Sequence, residues 1–160
     1  MPDGTSRFSK DGKPIFHFMG CSSFAEYTVI AEISAAKINP YGDLNKLCML
    51  GCGVSTGWGA VFNTCNVQPG TSVAVFGLGA VGLAVLQAAK AAGATHIVGV
   101  DINSKKFDQA IAMGATECVN SIECEGGDVK KVLMSKQKWG YDYTFDCTGI
   151  TKVMRDALEV

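Results

Sequence analysis

A glycine-rich turn is the first feature of the sequence that could do chemistry. Gly77-Leu78-Gly79-Ala80-Val81-Gly82 has the spacing G-x-G-x-x-G, follows the apolar run Val73–Phe76 and opens a stretch of helical sequence. In this pattern the first glycine makes a tight turn, the second lets the backbone approach a pyrophosphate, and the third lets the helix pack closely on the sheet. Free N–H groups at the start of the helix favour an anion. The turn therefore predicts a dinucleotide phosphate site.

Asp101 completes this pattern. It ends the β-branched run His96–Asp101 and lies 24 residues after Gly77, where a carboxylate accepts hydrogen bonds from the ribose hydroxyls of an adenosine. A 2′-phosphate would meet a like charge there, so the sequence predicts NAD rather than NADP. Ile102 belongs to the same predicted cofactor site, and Lys106, one turn further on, could reach the same ribose or the phosphate.

Three other interpretations of the glycine turn compete with NAD binding. The turn could only pack, with Asp101 as a solvated cap, but strand, glycines, helix and acid all fall in register. Methyltransferases also use a glycine loop and a later acid, yet they usually carry an acidic residue directly before the loop, where this chain has Phe76. An FAD site would more often stand at the start of a chain. The pattern favours NAD.

Cys52 is the second residue with possible chemistry. It lies in Gly51-Cys52-Gly53-Val54-Ser55-Thr56-Gly57-Trp58-Gly59, and a thiolate on a glycine-flanked turn can approach a zinc ion without steric conflict. No histidine or second cysteine lies at a ligand spacing from it. The residues alone therefore favour a buried cysteine over a zinc ligand.

Composition excludes several classes of function. Lysine and arginine number 14 against 15 acidic residues, so no basic field exists to bind nucleic acid or an acidic membrane surface. Seven cysteines without a C-x-x-C pair or a secretory leader indicate the reducing cytoplasm. The uncharged stretch between Lys46 and Lys90 is broken by turn-forming residues at 63–72, which favours two buried segments over a membrane helix.

Hydrophobic periodicity predicts an α/β architecture. Residues 5–40 mix apolar and turn residues and predict short strands, such as Phe24–Val29, and Leu44–Asn63 predicts a helix. Beyond it, strands and helices alternate, which is typical of a doubly wound parallel sheet. The predicted strands are Val73–Phe76, His96–Asp101, Thr116–Val119 and Tyr141–Cys147; the predicted helices are Ala80–Ala92, Ser104–Met113, Asp128–Lys138 and one that begins at Thr151.

With Gly51–Gly59, Phe76–Gly82 and Val100–Asn103 taken together, the chain resembles the zinc-containing medium-chain alcohol dehydrogenases, and within them class III, the glutathione-dependent formaldehyde dehydrogenases. Further stretches carry the resemblance at residues 3–8, 17–20, 24–29 and 114–120. The resemblance implies an incomplete Rossmann sheet preceded by the β-rich tail of a GroES-like catalytic domain. The implied division is a catalytic-domain segment at 1–53 and an NAD-binding domain at 54–160.

The resemblance also implies roles for single residues. Cys52 matches the third protein ligand of a catalytic zinc. Thr56 matches a residue that touches the nicotinamide, and Val81 matches the one that presses on its back face. Asp101 and Lys106 match the ribose-binding pair, and Phe18 and Met19 match residues of the alcohol pocket. The implied reaction is oxidation of S-(hydroxymethyl)glutathione or a long-chain primary alcohol. Zinc lowers the pKa of the alcohol oxygen, and a hydride passes to NAD⁺.

The same resemblance places other functional parts outside this chain. The remaining catalytic zinc ligands, the structural-zinc cysteines and the proton-relay residues would precede Met1, and the last strands with the homodimer edge would follow Val160. Because catalytic zinc normally has three protein ligands, we expect the chain alone to have no dehydrogenase activity and no stoichiometric zinc. Two alternatives stay open: a non-catalytic dinucleotide-binding module, or another medium-chain dehydrogenase, such as a polyol dehydrogenase.

Overall fold

The computed structural model describes residues 3–124 and 128–160. Contacts between residues separate the chain into two compact units, Met1–Asp43 and Leu44–Val160. The predicted division into segments 1–53 and 54–160 stays a prediction, because a contact boundary does not by itself define which residues fold together as a domain.

The first unit contains one β-hairpin. Strands β1 (Phe8–Lys10) and β2 (Lys13–Ile15) pair antiparallel. The two residues between them, Asp11 and Gly12, have φ values of 50° and 74°, as the tight turns that match the twist of a hairpin require. Short 3₁₀ turns follow at Phe18–Gly20 and Glu32–Ser34.

The predicted strand at Phe24–Val29 is wrong. The backbone bends through this segment and forms no ladder with any other described residue. Phe24 and Tyr27 are almost fully exposed. An alternating pattern forms a strand only where a partner strand satisfies its backbone groups and an apolar face covers its side chains. Within this unit the segment has neither.

The second unit alternates helices and strands as predicted. The helical region that begins at Leu44 forms as successive pieces rather than one helix, with a 3₁₀ turn at Cys48–Gly51 and a π-helical turn at Ala60–Thr64. The helices are α1 (Leu44–Leu47), α2 (Gly53–Gly59), α3 (Ala80–Ala91), α4 (Phe107–Met113), α5 (Val129–Lys136) and α6 (Thr151–Leu158); the strands are β3 (Ser72–Phe76), β4 (His96–Asp101), β5 (Glu117–Asn120) and β6 (Tyr143–Asp146).

These four strands form one parallel sheet in the order β5-β4-β3-β6. The chain builds outward from β3 to β5 and then crosses back, so that β6 lies on the other side of β3. Ligands of open α/β sheets bind in the crevice at the carboxyl ends of the strands, at such a reversal. The predicted doubly wound parallel sheet is confirmed, and its reversal point lies between β3 and β6.

The sheet has apolar side chains on both faces. Successive residues of β3 point to opposite sides, so Val73 and Val75 join one buried cluster with Leu86 of α3, while Phe76 joins a second cluster with Leu133 of α5. All five residues of β3 are buried. This explains why the strand has a continuous rather than an alternating apolar sequence.

Local signals fix the helix boundaries that matter for the site. Helix α3 ends before Gly93 and α4 ends at Gly114, with φ values of 88° and 132° that favour glycine. Helix α5 begins after Asp128, whose Oδ1 accepts hydrogen bonds from the amides of Lys130 and Lys131. Among the described residues, no helix has the length and hydrophobicity needed to cross a bilayer.

Candidate functional site

A cavity of about 650 Å³ lies at the carboxyl ends of the strands of the parallel sheet. Its walls include Phe76 and Gly77 at the end of β3, Asp101 at the end of β4 and Cys147 directly after β6. The backbone ties these ends together, because the amide of Gly77 donates to the carbonyl of Val100 at 2.7 Å and the amide of Cys147 donates to that of Phe76 at 2.8 Å. The cavity therefore occupies the crevice at the reversal of strand order.

The glycine turn forms one side of the cavity, and its first and third glycines are demanded by packing. Gly77 has φ 89°, and a Cβ there would lie 2.8 Å from Cγ2 of Thr148. A Cβ on Gly82 would overlap the carbonyl oxygen of Gly77. At Gly79, by contrast, a Cβ would meet nothing within 4 Å. Gly79 lines the cavity, and the absence of a side chain leaves open space beside its backbone.

The start of α3 presents amide groups beside this turn. Because the N-cap residue is Gly79, no N-cap side chain accepts a hydrogen bond from the first turn. The first-turn residues are apolar, and both Gly79 and Ala80 are exposed. A helix start of this kind favours an anion through its N–H groups and its dipole.

Asp101 is the buried carboxylate of the site, with 7% of its surface exposed. Its Oδ2 accepts hydrogen bonds from the amide of Leu78 at 2.7 Å and from Nζ of Lys106 at 2.8 Å. Its Oδ1 accepts from the amide of Asn103 at 2.9 Å. The Leu78 bond joins the end of β4 directly to the glycine turn, which explains why the acid and the glycines occur together.

The pKa of Asp101 lies below its usual value. Burial is the largest influence and by itself raises the pKa, but the hydrogen bond from Lys106, those from the amides of Leu78 and Asn103, and the Lys106 charge together outweigh it. The carboxylate is therefore ionised at neutral pH. A carboxylate offers about four lone-pair positions, so the three donors leave Oδ1 able to accept another hydrogen bond.

The opposite side of the cavity comes from residues that sequence reasoning missed. Val129 and Lys130 of α5 line it, as do Ile150, Val153 and Asp156 in and before α6. The position of Ile150 could have been predicted from the sequence. The carboxyl ends of parallel strands lie at the same edge of the sheet, so the loop after β6 must lie beside the glycine turn. The α5 residues carried no such signal.

The structure brings together some of the predicted cofactor residues and separates others. Gly77, Gly79, Asp101, Ile102 and Lys106 all line the cavity. Leu78, Val81 and Gly82 do not line it. Leu78 is 1% exposed and contributes its amide to Asp101, whereas Ala80 lines a separate groove with Val54 of α2.

Cys52 lies directly before α2, with its side chain exposed. The interpretation of a buried cysteine is therefore wrong, because Cys52 is the N-cap residue of α2 and its side chain is exposed. Its Sγ lies 4.0 Å from Oγ1 of Thr56. Nowhere in the described ranges do three His, Cys, Asp or Glu side chains gather closely enough to hold a metal ion. The ligand set in this part of the chain does not fit a catalytic zinc.

Gly57, the neighbour of Thr56, brings α2 into close contact with α3. A Cβ on Gly57 would lie 2.6 Å from Cβ of Ala84 and 2.7 Å from the carbonyl oxygen of Val81. Only glycine permits this approach of α2 to α3. The predicted nicotinamide residues, Thr56 and Val81, thus belong to two helices in direct contact.

Phe18 and Met19, the predicted substrate residues, belong to the first unit. They lie in the 3₁₀ turn Phe18–Gly20 and are 73% and 77% exposed. Met19 has φ 54°. Their role in an alcohol pocket stays a prediction.

Known proteins match both the sequence and this fold. Residues 80–160 match the family model described as zinc-binding dehydrogenase. The chain is 58% identical over 159 residues to S-(hydroxymethyl)glutathione dehydrogenase of Escherichia coli O139:H28, a match that covers 99% of this chain and 43% of that protein. The chain belongs to the zinc-binding dehydrogenase family, as its resemblance to zinc-containing medium-chain alcohol dehydrogenases predicted.

Solved structures agree with this assignment. The alcohol dehydrogenase zinc-binding domain protein of Burkholderia ambifaria has a TM-score of 0.81 and 40% identity, covering 92% of this chain and 40% of its own. Benzyl alcohol dehydrogenase of Acinetobacter calcoaceticus also has a TM-score of 0.81, with 34% identity over 89% of this chain and 39% of its own. The chain thus spans less than half the length of these relatives.

Proposed function

We propose that the cavity binds the adenosine diphosphate half of NAD. The observation that carries this proposal is the hydrogen bond from the Leu78 amide to Asp101, which fixes a buried, ionised carboxylate beside an uncapped helix start. The pyrophosphate would lie on the amides that follow Gly79, and the ribose hydroxyls would bind Asp101 and Lys106. The adenine would lie between Ile102 and Ile150, which line the cavity and are 64% and 56% exposed.

Asp101 also supports a preference for NAD over NADP. A 2′-phosphate at the adenosine ribose would bring negative charge against an ionised carboxylate whose Oδ2 already has two donors. Lys106 does not offset this repulsion fully, because its ammonium group is already paired with Asp101 at 2.8 Å.

We further propose that the whole protein is an NAD- and zinc-dependent dehydrogenase of S-(hydroxymethyl)glutathione and long-chain primary alcohols. The name of the Escherichia coli relative supports the substrate. In such an enzyme NAD supplies the hydride acceptor, with Thr56 and Val81 beside the nicotinamide, Cys52 as one zinc ligand, and Phe18 and Met19 in the alcohol pocket. We propose a cytoplasmic homodimer, and the seven free cysteines are consistent with a reducing compartment.

This chain alone is proposed to bind nucleotide without turnover. Cys52 offers one ligand, whereas catalytic zinc normally needs three protein ligands. Metal analysis of the purified chain should find far less than one zinc per chain. An assay with NAD⁺ and S-(hydroxymethyl)glutathione should show no turnover above background. Turnover or stoichiometric zinc would contradict the assignment of the missing ligands to the rest of the protein.

Titration calorimetry with ADP-ribose tests the cofactor site. The Asp101→Ala variant should bind roughly tenfold more weakly or not at all, because hydrogen bonds to a charged group contribute about 1.5–3 kcal/mol each. Asp108→Ala is the matched control, since Asp108 is an exposed acid of α4 that does not line the cavity. Circular dichroism establishes that each variant is folded. Equal affinity of the folded Asp101→Ala variant would mean that the carboxylate does not bind the ribose.

A further inference from the structure

Two helices on the far side of the cavity are joined by ion pairs. Nζ of Lys130, in the first turn of α5, lies 2.5 Å from Oε2 of Glu159 at the end of α6 and 3.7 Å from Oδ1 of Asp156 within α6. Arg155 also donates to Glu159, from Nε to Oε1 at 2.8 Å. We call Lys130, Asp156 and Glu159 the α5–α6 clamp.

Two of the three clamp residues belong to the cavity wall. Lys130 and Asp156 both line the cavity, beside Val129 of α5 and Val153 of α6. The separation of α5 from α6 therefore sets the width of the cavity on this side. The Lys130 side chain is 35% exposed and that of Asp156 is 15% exposed, so the pair is partly shielded from water.

Apolar burial anchors the body of both helices without the clamp. Leu133 of α5 is fully buried, and Val129 and Ala157 are nearly so, all in the cluster under the sheet. Loss of the clamp should thus leave the fold intact. Without the clamp, the first turn of α5, which lines the cavity, could move relative to α6.

The Lys130–Glu159 pair keeps its charges over the pH range in which proteins are normally folded. Hydrogen bonds from Lys130 and Arg155 lower the pKa of Glu159 to about 2, and the pKa of Lys130 is raised, chiefly by its bond to Glu159. Salt screens exposed ion pairs, and the Debye length falls from about 10 Å at 0.1 M to about 3 Å at 1 M. Ionic strength, not pH, is therefore the variable that weakens the Lys130–Glu159 pair.

We infer that Lys130 is a positioning residue of the nucleotide site, acting through Glu159 and Asp156 to hold α5 at the spacing from α6 that a bound nucleotide requires. The inference rests on the proposed nucleotide function of the cavity. Lys130 does not contact the ligand in this account. Its ammonium group is turned to the acids of α6, and its loss widens the site.

Calorimetry with ADP-ribose on the 160-residue chain tests the inference. Lys130→Met should weaken binding about three- to fivefold, the scale of a partly exposed ion pair. Lys130→Arg should restore most of the affinity, because its guanidinium can also bridge two carboxylates. Lys131→Met is the matched control, since the Lys131 side chain is 84% exposed and pairs only with Asp128, at 3.8 Å, among the described residues.

A double-mutant cycle with Glu159→Gln separates positioning from direct contact. If Lys130 acts through the clamp, Glu159→Gln weakens binding by at most as much as Lys130→Met does, because Asp156 still pairs with Lys130, and the double variant is no weaker than Lys130→Met. Unchanged affinity of Lys130→Met overturns the inference. The inference is also overturned if the losses of ADP-ribose affinity from the two single variants add in the double variant, or if Glu159→Gln binds ADP-ribose as tightly as the wild-type chain. Either result would mean that Lys130 binds the ligand itself. Should Lys130→Met not fold, Glu159→Gln alone decides, with unchanged affinity again overturning the inference.

Asp101→Ala in the same series tests the proposed function independently. If Asp101→Ala loses affinity while the Lys130 and Glu159 variants bind ADP-ribose as tightly as the wild-type chain, only the inference is overturned. Equal affinity of the folded Asp101→Ala variant overturns the proposed ribose site, whatever the Lys130 variants show. If the wild-type chain binds no ADP-ribose, the proposed function fails and the inference fails with it.

Discussion

Gly79→Ala should weaken ADP-ribose binding while leaving the free energy of unfolding nearly unchanged. Gly79 has φ −86° and ψ −167°, a conformation open to any residue, and a Cβ there would meet no atom within 4 Å. The folded chain can therefore accept the methyl group without rearrangement. In the proposed complex, however, this methyl group would occupy the space through which the backbone approaches the pyrophosphate.

Two opposing effects on stability nearly cancel in this variant. Replacing glycine by alanine restricts the unfolded chain and stabilises the fold by about 0.4–1 kcal/mol. Gly79 is the N-cap of α3, and alanine is less favourable than glycine at that position by about 0.5–1 kcal/mol. The net change in the free energy of unfolding should stay within about 0.5 kcal/mol, so the melting temperature should shift by only a few degrees.

The effect on binding should be much larger. Displacing the pyrophosphate from the helix start removes one hydrogen bond to a charged group, which contributes about 1.5–3 kcal/mol. This predicts a roughly ten- to hundredfold weaker Kd for ADP-ribose. Adenosine has no pyrophosphate, so its affinity should not change.

Calorimetric titration of both ligands measures the difference. Gly59→Ala serves as control, because Gly59 lies in α2, and a Cβ there would meet only Asn63, at 3.9 Å. If Gly79→Ala bound ADP-ribose as tightly as the wild-type chain, the phosphate would not lie on this turn. A parallel loss of adenosine affinity would also refute the reasoning, since it would show that the turn itself had been distorted.

Two further predictions concern stability. Gly57→Ala should lower the free energy of unfolding by about 1–3 kcal/mol, because its Cβ would lie 2.6 Å from that of Ala84 and force α2 away from α3; urea unfolding that matched the wild type would contradict this packing. Because the pKa of Asp101 is lowered in the folded state, its contribution should be present above pH ~3.9, its unfolded value, and lost as pH falls through the folded pKa. Thermal melts from pH 7 to pH 2 should show this acid loss, and Asp101→Asn should remove it.

The sequence was sufficient to predict the parallel sheet and one side of the cavity. A continuous apolar run such as Val73–Phe76 is typical of a strand in a parallel sheet, because helices cover both faces of such a sheet. Gly82 packs against the carbonyl of Gly77, and the Asp101 carboxylate accepts a hydrogen bond from the Leu78 amide. Their spacing therefore carried enough information to predict their geometry.

The rest of the site depends on contacts between residues far apart in sequence. Lys130 and Glu159 are 29 residues apart, and neither belongs to a motif, so their pairing across the cavity could not be predicted. The prediction of a strand at Phe24–Val29 was wrong because its pattern suits a strand, but no strand in the described part of the chain pairs with it. The exposure of Cys52 follows from its position directly before α2. The sequence pattern did not predict that a helix begins at Gly53.

The most direct test of the nucleotide site is a ¹H–¹⁵N NMR titration of the chain with ADP-ribose. We predict that the largest shifts fall on the amides of residues 77–81, among them the Leu78 amide that binds Asp101, on the Asn103 amide that also binds Asp101, and on residues 148–150 after β6. Shifts concentrated instead in the hairpin at residues 8–15, or none at saturating ligand, would contradict it.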